Sequence, residues 1–248
     1  MDLRTVTMVE RPDLENELWE LDSGWPAFID HDPVTALLDL AVDRFPEFQL
    51  VVLDGDEVVA KVHSVPFHWS DRDPDELGPG GWDWVLTTAF LQDREGITPN
   101  AVSALEISVR IDLQGRGLAA RVLALLADNC RRLRFGDLVA PVRPTHKHQR
   151  PRQPMGEYAR ETRDDGLPAD PWLRVHARAG GRLLRPCPAS MTIAGSLEQW
   201  REWTDLPLTS SGPVEVPGAL VPVVVDVDAD HAVYVEPNVW VHHALDQR

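Results

Sequence analysis

Gln114-Gly115-Arg116-Gly117-Leu118-Ala119 is a glycine-bearing turn with the chemistry of a phosphate seat. The first amides of a helix have no intrahelical partner and lie at the positive end of the helix dipole. Glycines let that backbone come close to a ligand, so oxygens of a phosphate can dock there. The spacing narrows the choice of ligand. No Gly-Lys-Ser/Thr follows the glycines, which excludes a Walker loop, and the G-x-G-x-x-G of a dinucleotide fold is absent.

Two elements must position this turn. Val102 to Ile111 mixes β-branched and apolar residues at strand-like spacing and predicts a strand. After the turn, Leu118, Val122, Leu125, Leu126 and Asn129 fall on one helical face, with Arg121, Asp128 and Arg132 off it. A strand, a glycine turn and an amphipathic helix therefore follow one another.

This stretch resembles motif A of the GNAT acyltransferase superfamily, Gln/Arg-x-x-Gly-x-Gly/Ala after a strand. Val109 stands five positions before Gln114, and Gln114, Gly117 and Ala119 fill the signature positions. The resemblance implies that the loop amides hold the pyrophosphate of acetyl-CoA, or another acyl-CoA, used as co-substrate. It implies that the preceding strand presents the thioester. The expected cofactor-binding residues are Ile107, Val109, Gln114, Gly115, Arg116, Gly117, Leu118 and Ala119. It also implies an amide near Val109 that polarises the thioester carbonyl, Glu106 as catalytic base on the strand, and Tyr158 as proton donor. His63, His68, Glu236 and His242 are further options for proton transfer. The activity implied is N-acyl transfer, by direct transfer in a ternary complex, to the primary amine of a small molecule. Two rivals are a GNAT-like protein that binds acyl-CoA without transfer and a GNAT-like malonyl-thioester decarboxylase. The oligomeric state stays open, a homodimer included.

Composition bounds the rest. At 248 residues with 43% hydrophobic and 26% charged residues, the chain can bury a sizeable core. A formal net charge of −16 argues against nucleic acid as a partner, and acidic clefts favour a cationic amine. No apolar run approaches the roughly 20 residues needed to span a bilayer. The N-terminus lacks a signal-peptide layout, and the two cysteines, Cys130 and Cys187, offer neither a disulfide framework nor zinc spacing. A cytoplasmic enzyme without metal is the expectation. His146, His148 and His176 have no carboxylate or Cys beside them at ligand spacing. The nine Trp residues are scattered and are expected in the core and its seams, with a few lining an acceptor pocket.

In chain order, Leu3 to Val9 predicts a strand with Leu3, Thr5, Thr7 and Val9 on one side. A helix through Leu14, Leu18 and Leu21 follows, stopped by Ser23-Gly24 and Pro26. Asp32-Pro33 predicts a capped helix to Phe45. Asp54-Gly55-Asp56 joins two apolar runs in a hairpin. Ser70 to Gly81 predicts a loop, Trp82 to Gln92 a helix, and Asp137 to Val142 a strand. Arg143 to Gly166 predicts a long irregular loop. With Arg131, Arg132 and Arg134, its Arg143, Lys147, Arg150 and Arg152 form a basic region that is either a solvated face or a counter-charge for coenzyme A phosphates. Asp170-Pro171 opens another helix, and Arg182 to Ala194 reads as one interrupted strand or two. Ser196 to Trp203 predicts a capped short helix. The β-prone tail from Gly212 turns at Asp228-Ala229-Asp230 and is expected to pair with the main sheet or cover its edge. The order of these elements is that expected of the GNAT core, and the resemblance implies an α/β fold: a mixed central sheet of GNAT type, splayed at its centre and flanked by helices, here with a β-rich C-terminal extension. Residues 1–195 would form the acyltransferase domain, and residues 196–248 the extension packed on it.

Overall fold

A computed structural model describes residues 2–22 and 24–245; Ser23, read above as part of a helix stop, lies outside them. The strands are β1 (Leu3–Thr7), β2 (Leu50–Asp54), β3 (Glu57–Phe67), β4 (Ala101–Val109), β5 (Asp137–Val142), β6 (Arg182–Gly195), β7 (Gly212–Val214), β8 (Val223–Asp226) and β9 (His231–Ala244). They form one mixed sheet in the order β1-β2-β3-β4-β5-β9-β8-β7, with β6 also paired to β9. The helices are α1 (Glu15–Glu20), α2 (Ala36–Arg44), α3 (Gly81–Arg94), α4 (Leu118–Arg132), α5 (Met155–Tyr158), α6 (Pro171–Arg178) and α7 (Leu197–Thr204). No helix among the described residues is long and apolar enough to cross a membrane.

The period-2 pattern of the strands sorts the core into two layers. Leu138 and Ala140 of β5 pack with α4 and α6 on one face, while Val139 packs with α2, α3 and α7 on the other. Trp240 of β9 likewise faces opposite to Val239 and Val241. On α4, Leu118, Val122, Leu126 and Asn129 are buried as the spacing predicts. Leu123 and Cys130 are buried too, because the covering sheet is wider than a single stripe.

Local signals decide where several elements begin. The Asp32 carboxylate accepts from the Val34 amide at 2.8 Å ahead of Pro33, and Ser196 and Gln199 close a reciprocal capping box on α7. Gly55 (φ +64°) turns the β2–β3 hairpin. β1 differs from its reading: burial starts at Val6, and Val9 is 52% exposed because the chain turns away after Thr7. β6 is one strand, its ladder shifted next to Pro186 and again between Cys187 and Met191, since proline has no donor to give.

Two irregularities open the sheet. In the β3–β4 ladder Glu106 faces His63 and Ala104 faces Ser64, so Leu105 is an extra, bulged residue. Its carbonyl is satisfied by the Trp82 indole N–H at 3.1 Å. Beyond this bend β4 leaves β5: their parallel pairing is recorded only at Val102–Leu138 and Ser103–Val139. The C-terminal tail does pair with the main sheet. β9 runs along β6 on one side; on the other it meets β5 through Val239–Ala244 and β8 through His231–Val233, leaving Tyr234–Asn238 between them.

Candidate active site

The parting of β4 from β5 opens a cleft of about 1740 Å³, lined by Ala104–Val109 on one wall and Ala140–Arg143 on the other. Residues of one strand alternate the edge to which their peptide groups point. Arg110 N–H donates to Val59 O in β3, so the amides of Ile107 and Val109 are directed to the opposite edge, into the cleft. The Val109 carbonyl accepts from the Gln114 side-chain amide at 3.0 Å, which ties the turn to the strand.

The mouth of α4 opens on the same cleft. Gly117 (φ +78°) is its N-cap and Gly115 (φ +74°) precedes it, both in the left-handed region, and no side chain caps the helix. A Cβ at either glycine would meet nothing within 4 Å. The glycines therefore serve backbone conformation, which L side chains rarely adopt, and not close packing. The first amides of α4 remain directed at open space in the cleft, where anionic oxygens would satisfy them.

Across β3 and β4, one face carries Lys61, His63, Glu106 and Ser108, paired in register as Lys61–Ser108 and His63–Glu106. Glu106 Oε1 accepts from the Ser108 hydroxyl and lies 3.6 Å from Lys61 Nζ; Oε2 lies 3.8 Å from His63 Nε2. Two indoles cover the cluster. Trp19 stacks on the His63 ring at 5.1 Å, with Lys61 Nζ 5.6 Å from its centroid, and Trp25 Nε1–H donates to Ser108 Oγ at 3.0 Å. Burial, with the Lys61 charge second, pulls the His63 pKa down to about 3, so the ring is neutral. Glu106 keeps 14% side-chain exposure and borders the cleft. A carboxylate held in this way beside open space is placed for proton transfer.

Next to this cluster the cleft wall is acidic. Asp22, Asp30 and Asp39 line it with Glu106, and the Asp30 carboxyl makes no hydrogen bond or ion pair with another described residue. Burial raises the Asp30 pKa, and the nearby Glu106 charge adds to this. Farther along, the stretch of β9 between its β5 and β8 pairings contributes Glu236, which is fully buried and bonded to Arg143 Nε through both oxygens at 3.0 Å and to the Tyr234 hydroxyl at 2.8 Å. The Arg143 guanidinium in turn lies 5.4 Å from the Trp25 ring centroid.

The sequence-predicted residues divide clearly. Ile107, Val109, Gln114, Gly115, Gly117, Leu118 and Ala119 all line the cleft, and so does Glu106. Arg116 does not; it is exposed and donates to the Asp112 carbonyl at 3.2 Å. Tyr158 is buried in α5 outside the cleft lining, and its hydroxyl donates to Asp170 Oδ2 at 2.7 Å. Burial, then the Asp170 charge, raises its pKa. Through Asp170, which caps α6 and accepts from the His146 amide, Tyr158 braces the cleft wall. His68 bonds to the Thr98 carbonyl and His242 to Asp137, both away from the cleft. Among the described residues no cluster suited to a metal ion occurs.

Of the seven basic residues of the predicted basic region, only Arg143 lines the cleft. Arg131 pairs with Asp128, Arg132 with Glu47, Arg150 with Glu161 and Arg152 with Glu215, while the Lys147 amine is buried against the carbonyls of Arg150 and Leu220. Acidic partners distant in sequence absorb most of that charge. Arg174 and Arg178 of α6 also line the cleft, and the sequence reading did not single them out. Lys61, Ser108, Trp25 and Asp30 were missed because each is unremarkable in its own segment and becomes part of a constellation only in three dimensions.

No family model matches the chain. Among curated proteins it is 36% identical over 274 aligned residues to the arginine N-acetyltransferase avaD of Aspergillus versicolor, covering 96% of this chain and 93% of the relative. Among solved structures, the loading GNATL domain of CurA from Lyngbya majuscula superposes with a TM-score of 0.62 at 17% identity, covering 100% of this chain and 98% of that domain. The GphF GNAT-like decarboxylase in complex with isobutyryl-CoA gives 0.56 at 17% identity, covering 99% and 100%. At that identity the two structures speak for the fold alone.

Proposed function

The chain belongs to the GNAT superfamily of acyl-CoA-dependent N-acyltransferases, and from that premise we propose that it moves an acetyl group from acetyl-CoA to the primary amine of a small cationic acceptor of the arginine type. The observation that carries this reading is the single cleft shared by three features. They are the uncapped mouth of α4, the free edge of β4 at Ile107 and Val109, and the Glu106 carboxylate on the adjoining face.

In this reading the pyrophosphate of the co-substrate sits on the amides around Gly115–Ala119, with Arg174 and Arg178 near enough along the cleft wall to answer further phosphate charge. The amide-bearing arm of the co-substrate runs along the unpaired edge of β4, completing the ladder that β5 abandons. Glu106 removes a proton from the acceptor ammonium, and the neutral amine attacks the thioester carbonyl. The amide of Ile107 or Val109 stabilises the carbonyl oxygen as charge builds there. A C–N bond forms and the C–S bond breaks; the second proton of the attacking nitrogen passes to the departing thiolate, which leaves as the free thiol beside a neutral amide, so Tyr158 is not required as donor. Both reactants occupy the cleft together, so transfer is direct.

The acceptor class rests on charge. Asp22, Asp30, Asp39 and Glu106 face the cleft with Lys61 as the cation among them, an arrangement that attracts a positive tail. The relative's activity toward arginine agrees with that field. The test is thiol release from acetyl-CoA with arginine, lysine, a guanidino-amine lacking the carboxylate, and a neutral amine of equal length. Release is expected with the cationic amines and at least tenfold less with the neutral one. Binding of coenzyme A without release for any amine would leave a binding protein, and carbon dioxide release from malonyl-CoA without acceptor would make it a decarboxylase.

A further inference from the structure

His63 has one ring nitrogen that the fold satisfies and one that it leaves alone. Its Nδ1 lies 2.9 Å from Gln49 Oε1, and Gln49 spends its amide hydrogens on the carbonyls of Phe45 at 3.0 Å and Ser64 at 2.9 Å. The group facing Nδ1 is therefore an oxygen, which can only accept, so Nδ1 carries the proton. A neutral imidazole protonated at Nδ1 has its lone pair on Nε2. That nitrogen is wholly buried, has no hydrogen-bond partner among the described residues, and faces Glu106 Oε2 at 3.8 Å. Two acceptors thus confront each other with no proton between them. Buried polar atoms are rarely left so, and this one is aimed at the carboxylate that borders the cleft.

We infer that His63 is a positioning residue for proton transfer: once Glu106 has taken a proton from the acceptor ammonium, its carboxyl donates that proton in a hydrogen bond to His63 Nε2. An N–H bond breaks and an O–H bond forms; His63 neither gains nor loses a proton. The interaction exists only for the protonated carboxyl, so it makes Glu106 a stronger base. The groups facing it are Ser108, which donates to Oε1, Lys61, 3.6 Å from the same oxygen, and Asp30, from the segment before α2. Trp19 and Trp25, packed over the cluster, are uncharged. Burial of the ring holds it neutral, with a pKa pulled down to about 3, and keeps the lone pair available through the physiological range.

The inference rests on Glu106 being the base, and the experiments separate the two. His63→Asn keeps a donor for Gln49 but has no acceptor near Glu106; His63→Gln places an amide oxygen near the position of Nε2. For His63→Asn the acidic limb of kcat/KM is expected to move down by about one pH unit and the plateau kcat to fall about threefold, with coenzyme A affinity unchanged. His63→Gln should return the limb toward its wild-type position. An unmoved limb in His63→Asn overturns the inference. Because a buried variant can fail to fold, the wild-type protein offers an independent reading. Its His63 ¹⁵N shifts should report a neutral ring protonated at Nδ1 from pH 5 to 9, and an Nε2–H tautomer would overturn the inference. Wild-type kcat in Glu106→Gln would remove the base reading itself, and the role of His63 with it. A kcat lost in Glu106→Gln beside an unmoved limb in His63→Asn would remove only the latter.

Discussion

At the α4 end of the cleft the groups proposed to work are backbone: the open amides behind Gly115 and Gly117, and the free edge of β4 at Ile107 and Val109. At the other end they are side chains, Lys61, His63, Glu106 and Ser108, roofed by Trp19 and Trp25 and flanked by Asp30. The difference predicts how each end fails. A backbone site depends on a few dihedral angles and tolerates changes of side chain that leave them alone. A side-chain site depends on the identity of each group, and its members come from four separate stretches of the chain.

Four substitutions would break or sharpen that contrast. Glu106→Gln removes the proposed proton acceptor without changing shape; kcat is expected to fall about 10²–10³-fold while the Kd of coenzyme A stays within twofold. Steady-state kinetics and calorimetry read the two separately, and a parallel loss of both would erase the distinction between the ends. Gly117→Val places a β-branched side chain at φ +78°, where strain of about 1–3 kcal/mol follows. The KM for acetyl-CoA should rise about tenfold with little change in kcat, whereas Arg116→Ala on the same loop should change it less than twofold. Asp30→Asn should raise the KM for a cationic acceptor about fivefold and leave a neutral amine unaffected, since its charge acts through the field of the cleft.

The smallest effect concerns stability. The pKa of Asp83 of α3 is pushed up to about 8 by burial first and by the charges of Asp32 and Glu236 next, and one of its oxygens is buried without a partner among the described residues. Its folded pKa lies above its unfolded one. The folded state therefore holds a proton that the unfolded chain has released, and stability declines as pH rises from about 4 to 8. Asp83→Asn should raise Tm at pH 8 by a few degrees and change it little at pH 4, which thermal melts at the two pH values would check.

How much could be read beforehand follows the same division. The glycine turn, the strand before it and the amphipathic helix after it were legible because their signals are local: φ > 0 needs glycine, and Leu118, Val122 and Leu126 repeat at helical spacing. The caps at Asp32, Asp170 and Ser196 were legible for the same reason, each lying within three residues of the amide it satisfies. Glu106 could be named from the resemblance but not its company. The basic region looked like a phosphate counter-charge because the partners that absorb it, Glu47, Glu161 and Glu215, lie 11 to 85 residues away.

The amino-acid sequence alone determined the strand–turn–helix unit and the succession of strands and helices around it, since short-range sterics and period-2 and period-3.6 burial are written in neighbouring residues; the mixed sheet was implied by the resemblance. Tertiary structure decided that the splay falls between β4 and β5, at a bulge on Leu105, and that Lys61, His63, Glu106 and Ser108 meet under two tryptophans. It also decided that Tyr158 braces a wall instead of facing the cleft. Such placements depend on which distant segments pack together, and no spacing along a single stretch records that.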